Sequence, residues 1–409
     1  MSTTLTATPP AARALARRLQ VQYFLVFAPF AIVTTYQNLH FKRLGFSDSQ
    51  IGSLNAIAAI LAVISPPLWG YVTDRLGEKR APLAILLITS GALYPFFLGT
   101  RSFLAAAIFQ GAFSFCFAPC VALTDALVLE QLPRAGGDYA RLRLWGSMGF
   151  ICTLLAFGLF LGGGPLARAG AQGSLTATFI AFALVRLVNT AWVLRLPPGE
   201  PVAPGAALGG EVRALLRSRT LILFFVAMLL GMTALRAYYV FFSIYLDGLG
   251  VADSWKGVFW SLGVAAEVGF MLVAGRLLPR LGVKWMLAIG LAGGALRLLL
   301  FSFSLPIAMV ALAQGLHALA FGATHIATVT FINDTVPDRL RASGQTFYAA
   351  VVTGLGGAVG SRLSGDLAQA FGIGGAFRLC ALLAGVAVLV VLLLPGRKAL
   401  SANHHAGGA

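Results

Sequence analysis

Apolar runs, each about as long as a bilayer is thick, recur from one end of this chain to the other. A helix needs about 20 mostly apolar residues to cross the hydrocarbon core of a membrane. Only 11% of the 409 residues are charged, whereas a soluble domain carries about 25%. The sequence therefore predicts an all-α membrane protein. Twelve spans are predicted, at 21–41, 50–72, 82–99, 103–129, 143–163, 174–194, 220–246, 256–277, 285–303, 306–332, 345–369 and 373–394.

The basic residues predict how these spans are oriented. The net charge is +16, but the basic residues lie in short clusters between apolar runs and not along one polar stripe, so no nucleic-acid partner is expected. With the N-terminus inside, 20 of the 30 Lys and Arg residues fall in cytoplasmic segments, five fall outside and five lie within spans. This bias predicts a multi-pass protein of the cell (inner) membrane with both termini cytoplasmic. The first apolar run is as long as a span and lacks a small-residue cleavage site, so no cleavable signal peptide is expected.

The chain also repeats itself. The segment 70–79 recurs 205 residues later as 275–284, and Gln110, Gly111 and Phe117 recur 204 residues later as Gln314, Gly315 and Phe321. Two registers that agree within one residue indicate an internal duplication, which places a substrate site near the midplane between the two copies. The predicted divisions are an N-terminal six-helix half at 1–194, a cytoplasmic linker at 195–219, a pseudo-symmetric C-terminal six-helix half at 220–396 and a cytoplasmic tail at 397–409.

A charged loop after the second predicted span carries the first family resemblance. Its spaced residues are Gly70, Asp74, Arg75, Gly77 and Lys79, and the pattern resembles the loop signature of the major facilitator superfamily. The resemblance implies the major facilitator fold, and a loop that helps to latch one transport state. The glycines are expected to permit a tight turn between spans. The second copy has Pro279 where Asp74 stands, so its pairing role is expected to be lost.

A finer resemblance begins at the fifth predicted span. The segment 139–150, YARLRLWGSMGF, is similar to the start of this span in lactose-permease-like proton symporters, and closer still to the 3-phenylpropionate transporter branch. That resemblance implies that Arg143 pairs with Asp125, which stands eighteen residues earlier on the fourth span. The pair has three open interpretations: a gate, a clamp on the substrate, or mutual neutralisation.

Three ionisable residues lie at similar depth in neighbouring predicted spans. Glu267, Arg297 and His317 fall near the middle of spans 8, 9 and 10, and intramembrane ionisable residues are candidates for function because each is costly to insert. The constellation resembles the acid, arginine and histidine of lactose permease, which implies proton coupling. It departs from that pattern at Ala320 and Gln314, where the permease has a carboxylate and a lysine. His325 lies on much the same face, nearer the cytoplasm.

The remaining intramembrane charges suggest the class of substrate. Arg236 has no acidic neighbour in sequence and is a candidate to face an anion, whereas Arg362 and Asp366 have the i,i+4 spacing of a structural ion pair. Arg186 and Arg378 lie near span ends and are expected to snorkel towards water. Interior arginines outnumber carboxylates, which favours a small carboxylate over a neutral sugar. Aromatic residues are available to flank a ring, namely Tyr23, Phe27, Tyr36, Tyr238 and Tyr239.

Competing functions are weaker. The sequence has no nucleotide loop, metalloprotease motif or nucleophile elbow, so an enzyme is not expected, and no cofactor or metal is predicted. The glycine-rich stretch 354–360 fits close helix packing. A channel would need rings of polar residues. The prediction is a monomeric secondary transporter for proton-coupled uptake of a small organic solute, with 3-phenylpropionate favoured. The alternatives are symport of an oligosaccharide or nucleoside, and export of drugs by proton antiport.

Overall fold

The computed structural model describes residues 10–136, 138–163, 170–198, 218–336 and 340–395, which form helices and connecting turns and no strand. Eleven helices in these ranges are long and apolar enough to cross a membrane. We number them α1 (Pro10–Arg43), α2 (Asp48–Leu76), α3 (Arg80–Gly99), α4 (Phe103–Ala135), α5 (Tyr139–Leu161), α6 (Leu175–Val193), α7 (Arg219–Gly248), α8 (Asp253–Leu281), α9 (Val283–Phe301), α10 (Ile307–Thr335) and α11 (Ser343–Leu392).

The last of these helices contains both of the last two predicted spans. α11 is 50 residues long, whereas one span needs about 20. Gly372, at φ +72°, interrupts its helical path between the two predicted spans. The described residues therefore have eleven membrane-capable helices, and the division of α11 into two spans stays a prediction. Residues 199–217 of the predicted linker and the whole predicted tail lie outside the described residues.

The chain groups into two compact units. Unit 1 comprises Met1–Gln37 and Ile64–Gly205, and unit 2 comprises Asn38–Val63 and Ala206–Ala409. The boundary therefore crosses α1 and α2, so the adjoining ends of these two helices are grouped with the C-terminal helices. The six-helix halves predicted from the sequence repeat are a different division of the chain, and they stay a prediction.

Charged side chains tie the end of α1 to the turn between α7 and α8 within unit 2. The Arg43 guanidinium contacts Asp247 at 2.6 Å and Asp253 at 2.8 Å. Lys256, whose side chain is completely buried, contacts the same two carboxylates at 2.9 and 2.7 Å. Two cations and two anions thus neutralise one another, and this allows a buried lysine.

Each unit has its own apolar core and an apolar exterior. In unit 1, Leu19, Leu87 and Leu127 are completely buried, and in unit 2 so are Phe224 and Leu287. The rings of Phe224 and Phe331 stack with their centroids 4.2 Å apart. Large apolar side chains also point outwards, with Leu159 81% and Leu272 80% exposed. An apolar exterior on apolar helices is what lipid requires.

Glycine permits the closest helix contacts. A Cβ added at Gly149 of α5 would lie 2.3 Å from the Phe24 carbonyl oxygen of α1, and one at Gly360 of α11 would lie 2.4 Å from the Thr233 carbonyl oxygen of α7. Only a residue without a side chain fits such approaches. The predicted packing role of the stretch 354–360 is confirmed, since a Cβ added at Gly354 would also lie 2.2 Å from Val63 Cγ2.

Glycine also ends helices at matching places in the repeat. Gly45 and Gly250 have φ of +88° and +75°, and Gly77 and Gly282 have φ of +64° and +77°. The members of each pair are 205 residues apart, the spacing of the sequence repeat. Because left-handed backbone favours glycine, these four residues have the same physical reason to be glycine in both copies.

The prediction for Arg186 is wrong. Its side chain is completely buried, and none of its three guanidinium nitrogens has a hydrogen-bond partner among the described residues. Its charge lies 4.7 Å from the ring centroid of Phe117 and 5.4 Å from that of Phe182. The side chain packs inward against these rings and does not extend towards water. The predicted ion pair of Arg362 and Asp366 is confirmed at 2.9 Å.

Candidate functional site

The three ionisable residues predicted on separate spans meet in unit 2. His317 of α10 lies between the other two, with Arg297 Nη1 of α9 2.6 Å from its Nδ1. Its Nε2 is 3.5 Å from Glu267 Oε2 of α8. Arg297 and His317 are buried, at 1% and 5% exposure, whereas the Glu267 side chain is 15% exposed. The carboxylate is therefore the member of the group that solvent can reach.

The geometry fixes the protonation of the imidazole. A guanidinium can only donate hydrogen bonds, so Nδ1 of His317 accepts from Arg297, and the ring proton is on Nε2, facing Glu267. A proton on both ring nitrogens would place two donors against each other. His317 is therefore neutral in this arrangement and connects a carboxylate to a guanidinium.

Aromatic side chains form the wall of this site. The Arg297 guanidinium lies 3.8 Å from the ring centroid of Tyr238, and the ring of Tyr239 is edge-on to His317 at 6.4 Å. Gln314 donates to the Tyr238 hydroxyl at 3.1 Å and to the Phe259 carbonyl at 2.8 Å, which holds α7, α8 and α10 together. Two of the aromatic residues predicted to flank a ring therefore adjoin the ionisable group.

Arg236 reaches the same site from α7. Its Nε donates to the Ser361 hydroxyl of α11 at 3.1 Å, and its guanidinium lies 6.0 Å from the ring centroid of Tyr239. No carboxylate of the described residues forms an ion pair with it. The Ser361 hydroxyl is its one described polar contact, so the guanidinium has other N–H donors available for a ligand.

His325 is connected to His317 through an aromatic ring. The His317 and Phe321 rings stack at 5.9 Å, and the Phe321 and His325 rings stack at 5.7 Å. The stack runs beside a π-helical segment, Ala318–Ala323, and π segments are frequent at functional sites. The sequence placed both histidines on one face, but it gave no signal for the π segment or for the role of Phe321 between them.

Asp125 and Arg143 form a second group in unit 1. Arg143 Nε lies 3.8 Å from Asp125 Oδ1, and the Tyr23 hydroxyl donates to the same oxygen at 2.7 Å. The guanidinium lies 4.1 Å from the ring centroid of Phe27. The contact of Asp125 with Arg143 is long, since the tyrosine holds the carboxylate more closely. The sequence offered no local signal for this hydroxyl, which comes from another helix.

The charged loop between α2 and α3 has a different arrangement from the predicted one. Lys79 does contact Asp74, at 3.6 Å, but it makes a shorter ion pair with Glu130 of α4, which the sequence reasoning missed. Gly77 supplies the turn, whereas Gly70 lies inside α2, so the predicted turn role of Gly70 is wrong. Arg75 lies against the ring of Tyr71 and not in the ion-pair group.

Comparison with known proteins supplies the family context. The MFS_1 like family matches residues 16–379. The maltose permease of Geobacillus stearothermophilus is 27% identical over 92% of this chain and 93% of its own length. A probable 3-phenylpropionic acid transporter of Escherichia coli is 27% identical over 88% of this chain and 92% of its own. A mutant of the nucleoside transporter NupG superposes with a TM-score of 0.84 at 20% identity, over 93% of this chain and all of that one.

Proposed function

We propose a function that starts from one premise: this chain belongs to the MFS_1 like family, and it is a multi-pass membrane transporter of the major facilitator kind. The proposal is that it couples entry of a proton to uptake of a small organic solute with a flat ring, by alternating access. A nucleoside is the first candidate for that solute.

The observation that carries the coupling is the chain of contacts from Glu267 through His317 to Arg297. The charge on Glu267 decides how strongly the imidazole and the guanidinium are held. In the proposal, protonation of Glu267 loosens this chain and release of the proton restores it. Asp125 and Arg143 contribute a second, substrate-sensitive pair from unit 1.

The aromatic wall favours a ring-bearing solute. Tyr238 and Tyr239 stand beside the ionisable group, and Tyr23 and Phe27 stand beside Arg143. A nucleoside offers a ring for such walls and hydroxyl groups for the charged side chains. Two similar proteins bear names that point the same way, the nucleoside transporter NupG and a xanthosine permease of Escherichia coli.

A second candidate solute is an aromatic carboxylate such as 3-phenylpropionate. Arg236 supports it, because this guanidinium binds only a hydroxyl among the described residues and so keeps donors for an anion. A relative with that substrate in its name supports it equally. The likeness to the maltose permease supports an oligosaccharide as a third candidate solute. Drug export by antiport would use the same proton-carrying group, with the solute leaving as the proton enters.

The topology completes the proposal. We assign twelve spans in two duplicated six-helix halves, with both termini on the cytoplasmic side of the inner membrane and one chain as the working unit. The paired turn glycines at a spacing of 205 residues support the duplication. We propose that the ion pairs of Lys79 with Glu130 and Asp74 latch one transport state at the cytoplasmic end. Gly77 supplies the turn of this loop, and Gly70 and Arg75 lie on the helix that precedes it.

The test is uptake by purified protein in liposomes with an imposed proton gradient. Labelled uridine, 3-phenylpropionate and maltose are compared with the gradient present, absent and reversed. We expect uridine to accumulate only when the outside is acidic, and a protonophore to abolish its accumulation. Accumulation of the carboxylate alone would replace the first substrate with the second. Gradient-independent equilibration of all three solutes would contradict proton coupling.

A further inference from the structure

A cavity of about 410 Å³ opens at the end of α1 and α6 in unit 1. It is lined by Arg18, Trp192, Arg195 and Leu196. Arg18 belongs to α1, Trp192 lies at the end of α6, and Arg195 and Leu196 lie just after that end. In the proposed topology this is the cytoplasmic end of the bundle, at the level where a bilayer presents its headgroups.

The walls of the cavity are fixed by hydrogen bonds. The Trp192 indole donates to the Arg18 carbonyl at 3.1 Å, which joins the two helices. Arg80 of α3 donates to the Leu196 carbonyl at 3.0 Å, and Gln131 of α4 donates to the Pro197 carbonyl at 2.7 Å. The backbone after α6 is therefore held by two neighbouring helices, and Arg195 projects from a fixed position.

The two arginines of the cavity lack anionic partners. No carboxylate of the described residues forms an ion pair with Arg18 or Arg195, and both are exposed. Each guanidinium therefore has its full set of five donors available, in the planar arrangement that matches a phosphate. The positive-inside bias accounts for basic residues at this level, but it does not require that one cavity be lined by two arginines that are distant in sequence.

We propose that this cavity binds the phosphate headgroup of an anionic phospholipid. The two guanidiniums hold the phosphate, and the Trp192 ring lies along the first carbons of the lipid. Basic pockets between helices on the cytoplasmic side are a known mode of lipid recognition, and tryptophan favours the membrane interface. A free phosphate shares the headgroup chemistry, but it leaves the apolar wall without a partner.

The first test is lipid binding by native mass spectrometry of the purified full chain. Phosphatidylglycerol and phosphatidylcholine of equal chain length are titrated into the detergent-solubilised protein. We expect phosphatidylglycerol to be retained in preference to phosphatidylcholine. Since R18Q/R195Q lacks both guanidiniums that hold the phosphate, this double variant is expected to lose that preference by about tenfold or more.

The matched control removes the same charge from the same end of the molecule. Arg13 and Arg17 are also exposed on α1 but do not line the cavity. The variant R13Q/R17Q is expected to keep the preference within about twofold. Equal losses in both double variants would show general attraction to a basic surface and would overturn the site. An unchanged preference in R18Q/R195Q would overturn it as well.

A second measurement keeps the proposal open to refutation if the double variant does not fold. The part of the tryptophan fluorescence that comes from Trp192 is the part that W192F lacks. Phosphatidylglycerol brominated near the headgroup end of its chains should quench this part in wild-type protein. Brominated phosphatidylcholine at the same fraction should not quench that part. Loss of the selective quenching on addition of 10 mM inorganic phosphate would assign the site to free phosphate and contradict the lipid. Equal quenching in wild type and W192F would contradict it too.

Discussion

At the scale of residues, His317 joins Glu267 to Arg297. The imidazole has one nitrogen at each partner, and its single proton faces the carboxylate. A change of charge on Glu267 therefore changes what His317 can accept and donate. Because Arg297 is buried and lies against Tyr238, the effect is passed to the aromatic wall where a ring-bearing solute is proposed to bind.

The first prediction concerns the carboxylate itself. Glu267→Gln mimics the protonated acid, so solute exchange across the liposome membrane is expected to stay within about threefold of wild type. Accumulation driven by the proton gradient should be lost, because the variant has no proton to release. Both are measured with the same labelled solute. Glu78→Gln, a change in the loop before α3, is the control and should accumulate normally. Full accumulation by Glu267→Gln would remove this residue from the coupling.

The second prediction concerns substrate recognition in unit 1. Arg143→Gln removes the cation beside Asp125 and Phe27, and we expect the KM for uptake to rise by about tenfold or more, which corresponds to about 1.4 kcal/mol. Arg141→Gln removes an exposed arginine two residues away and should leave KM unchanged. Initial uptake rates over a range of solute concentrations measure both. An unchanged KM in Arg143→Gln would show that the pair of Asp125 and Arg143 has only a structural role.

The members of the ionisable group were predictable from the sequence, and their partners were not. Glu267, Arg297 and His317 each lie in an apolar span. Because an ionisable residue is costly to insert into the membrane, the sequence alone identifies each of them as a candidate for function. Tyr23 beside Asp125 and Glu130 beside Lys79 belong to other helices, and no local pattern reports such a pairing. The burial of Arg186 was missed for the same reason, because depth along a helix does not tell which face a neighbour covers.

At the scale of helices, close packing depends on glycine. α1 and α5 approach at Gly149, where the nearest atoms are backbone atoms of Phe24. Backbone cannot rotate away as a side chain can. The contact therefore sets the distance between two helices that carry Tyr23, Phe27 and Arg143, and so it sets the geometry of the second ionisable group.

The third prediction follows from that contact. Gly149→Ala should push α1 and α5 apart and lower the free energy of unfolding by about 1–3 kcal/mol. Gly385→Ala in α11 is the control, since a Cβ there meets no atom within 4 Å. Thermal unfolding of the solubilised proteins measures both, and only the first variant should have a lower midpoint. An unchanged midpoint for Gly149→Ala would mean that the two helices can separate at no cost.

The fourth prediction separates the two acids that contact Lys79. The Glu130 side chain is 6% exposed and the Asp74 side chain 40% exposed. Breaking a buried pair costs about 3–5 kcal/mol, whereas an exposed pair contributes about 0–1 kcal/mol. Glu130→Gln should therefore lower the thermal midpoint and the transport rate more than Asp74→Asn. The reverse order would assign the principal contact of Lys79 to Asp74.

The helices themselves were largely predictable, because apolar run length is a local property of the sequence. Hydropathy located every one of the eleven membrane-capable helices. The π-helical segments, such as Ala318–Ala323, were not predictable, since they arise where packing between helices overrides the ordinary hydrogen-bond spacing. Gly372 interrupts the helical path of α11 between the last two predicted spans, and the division of α11 there into two spans stays a prediction.

At the scale of the whole molecule, the grouping of residues 38–63 with the C-terminal helices bears on transport. Arg43 holds this segment to Asp247 and Asp253. Ser49 donates to Asp366 at 2.5 Å and adds a second connection. If alternating access moves the duplicated halves, these contacts must break once in each cycle.

The fifth prediction tests that requirement. Cysteines replace Arg43 and Asp253, and a short bifunctional thiol reagent joins them by reducible bonds. Transport in liposomes should stop and should return on reduction. The control pair replaces Arg13 and Arg17, which are exposed and lie four residues apart on α1, and its cross-linking should leave transport intact. Undiminished transport by the cross-linked first pair would mean that this segment does not separate from α7 and α8.

The buried Arg186 has a consequence for how the protein is made. An arginine that no neighbouring helix covers is costly to release into lipid, and Arg186 acquires its aromatic surroundings from Phe117 of α4 as well as from its own helix. The ribosome delivers α4 before α6. We expect α6 to leave the protein-conducting channel only against helices that have already been inserted, so that the order of synthesis is also the order in which the N-terminal bundle closes around its charge.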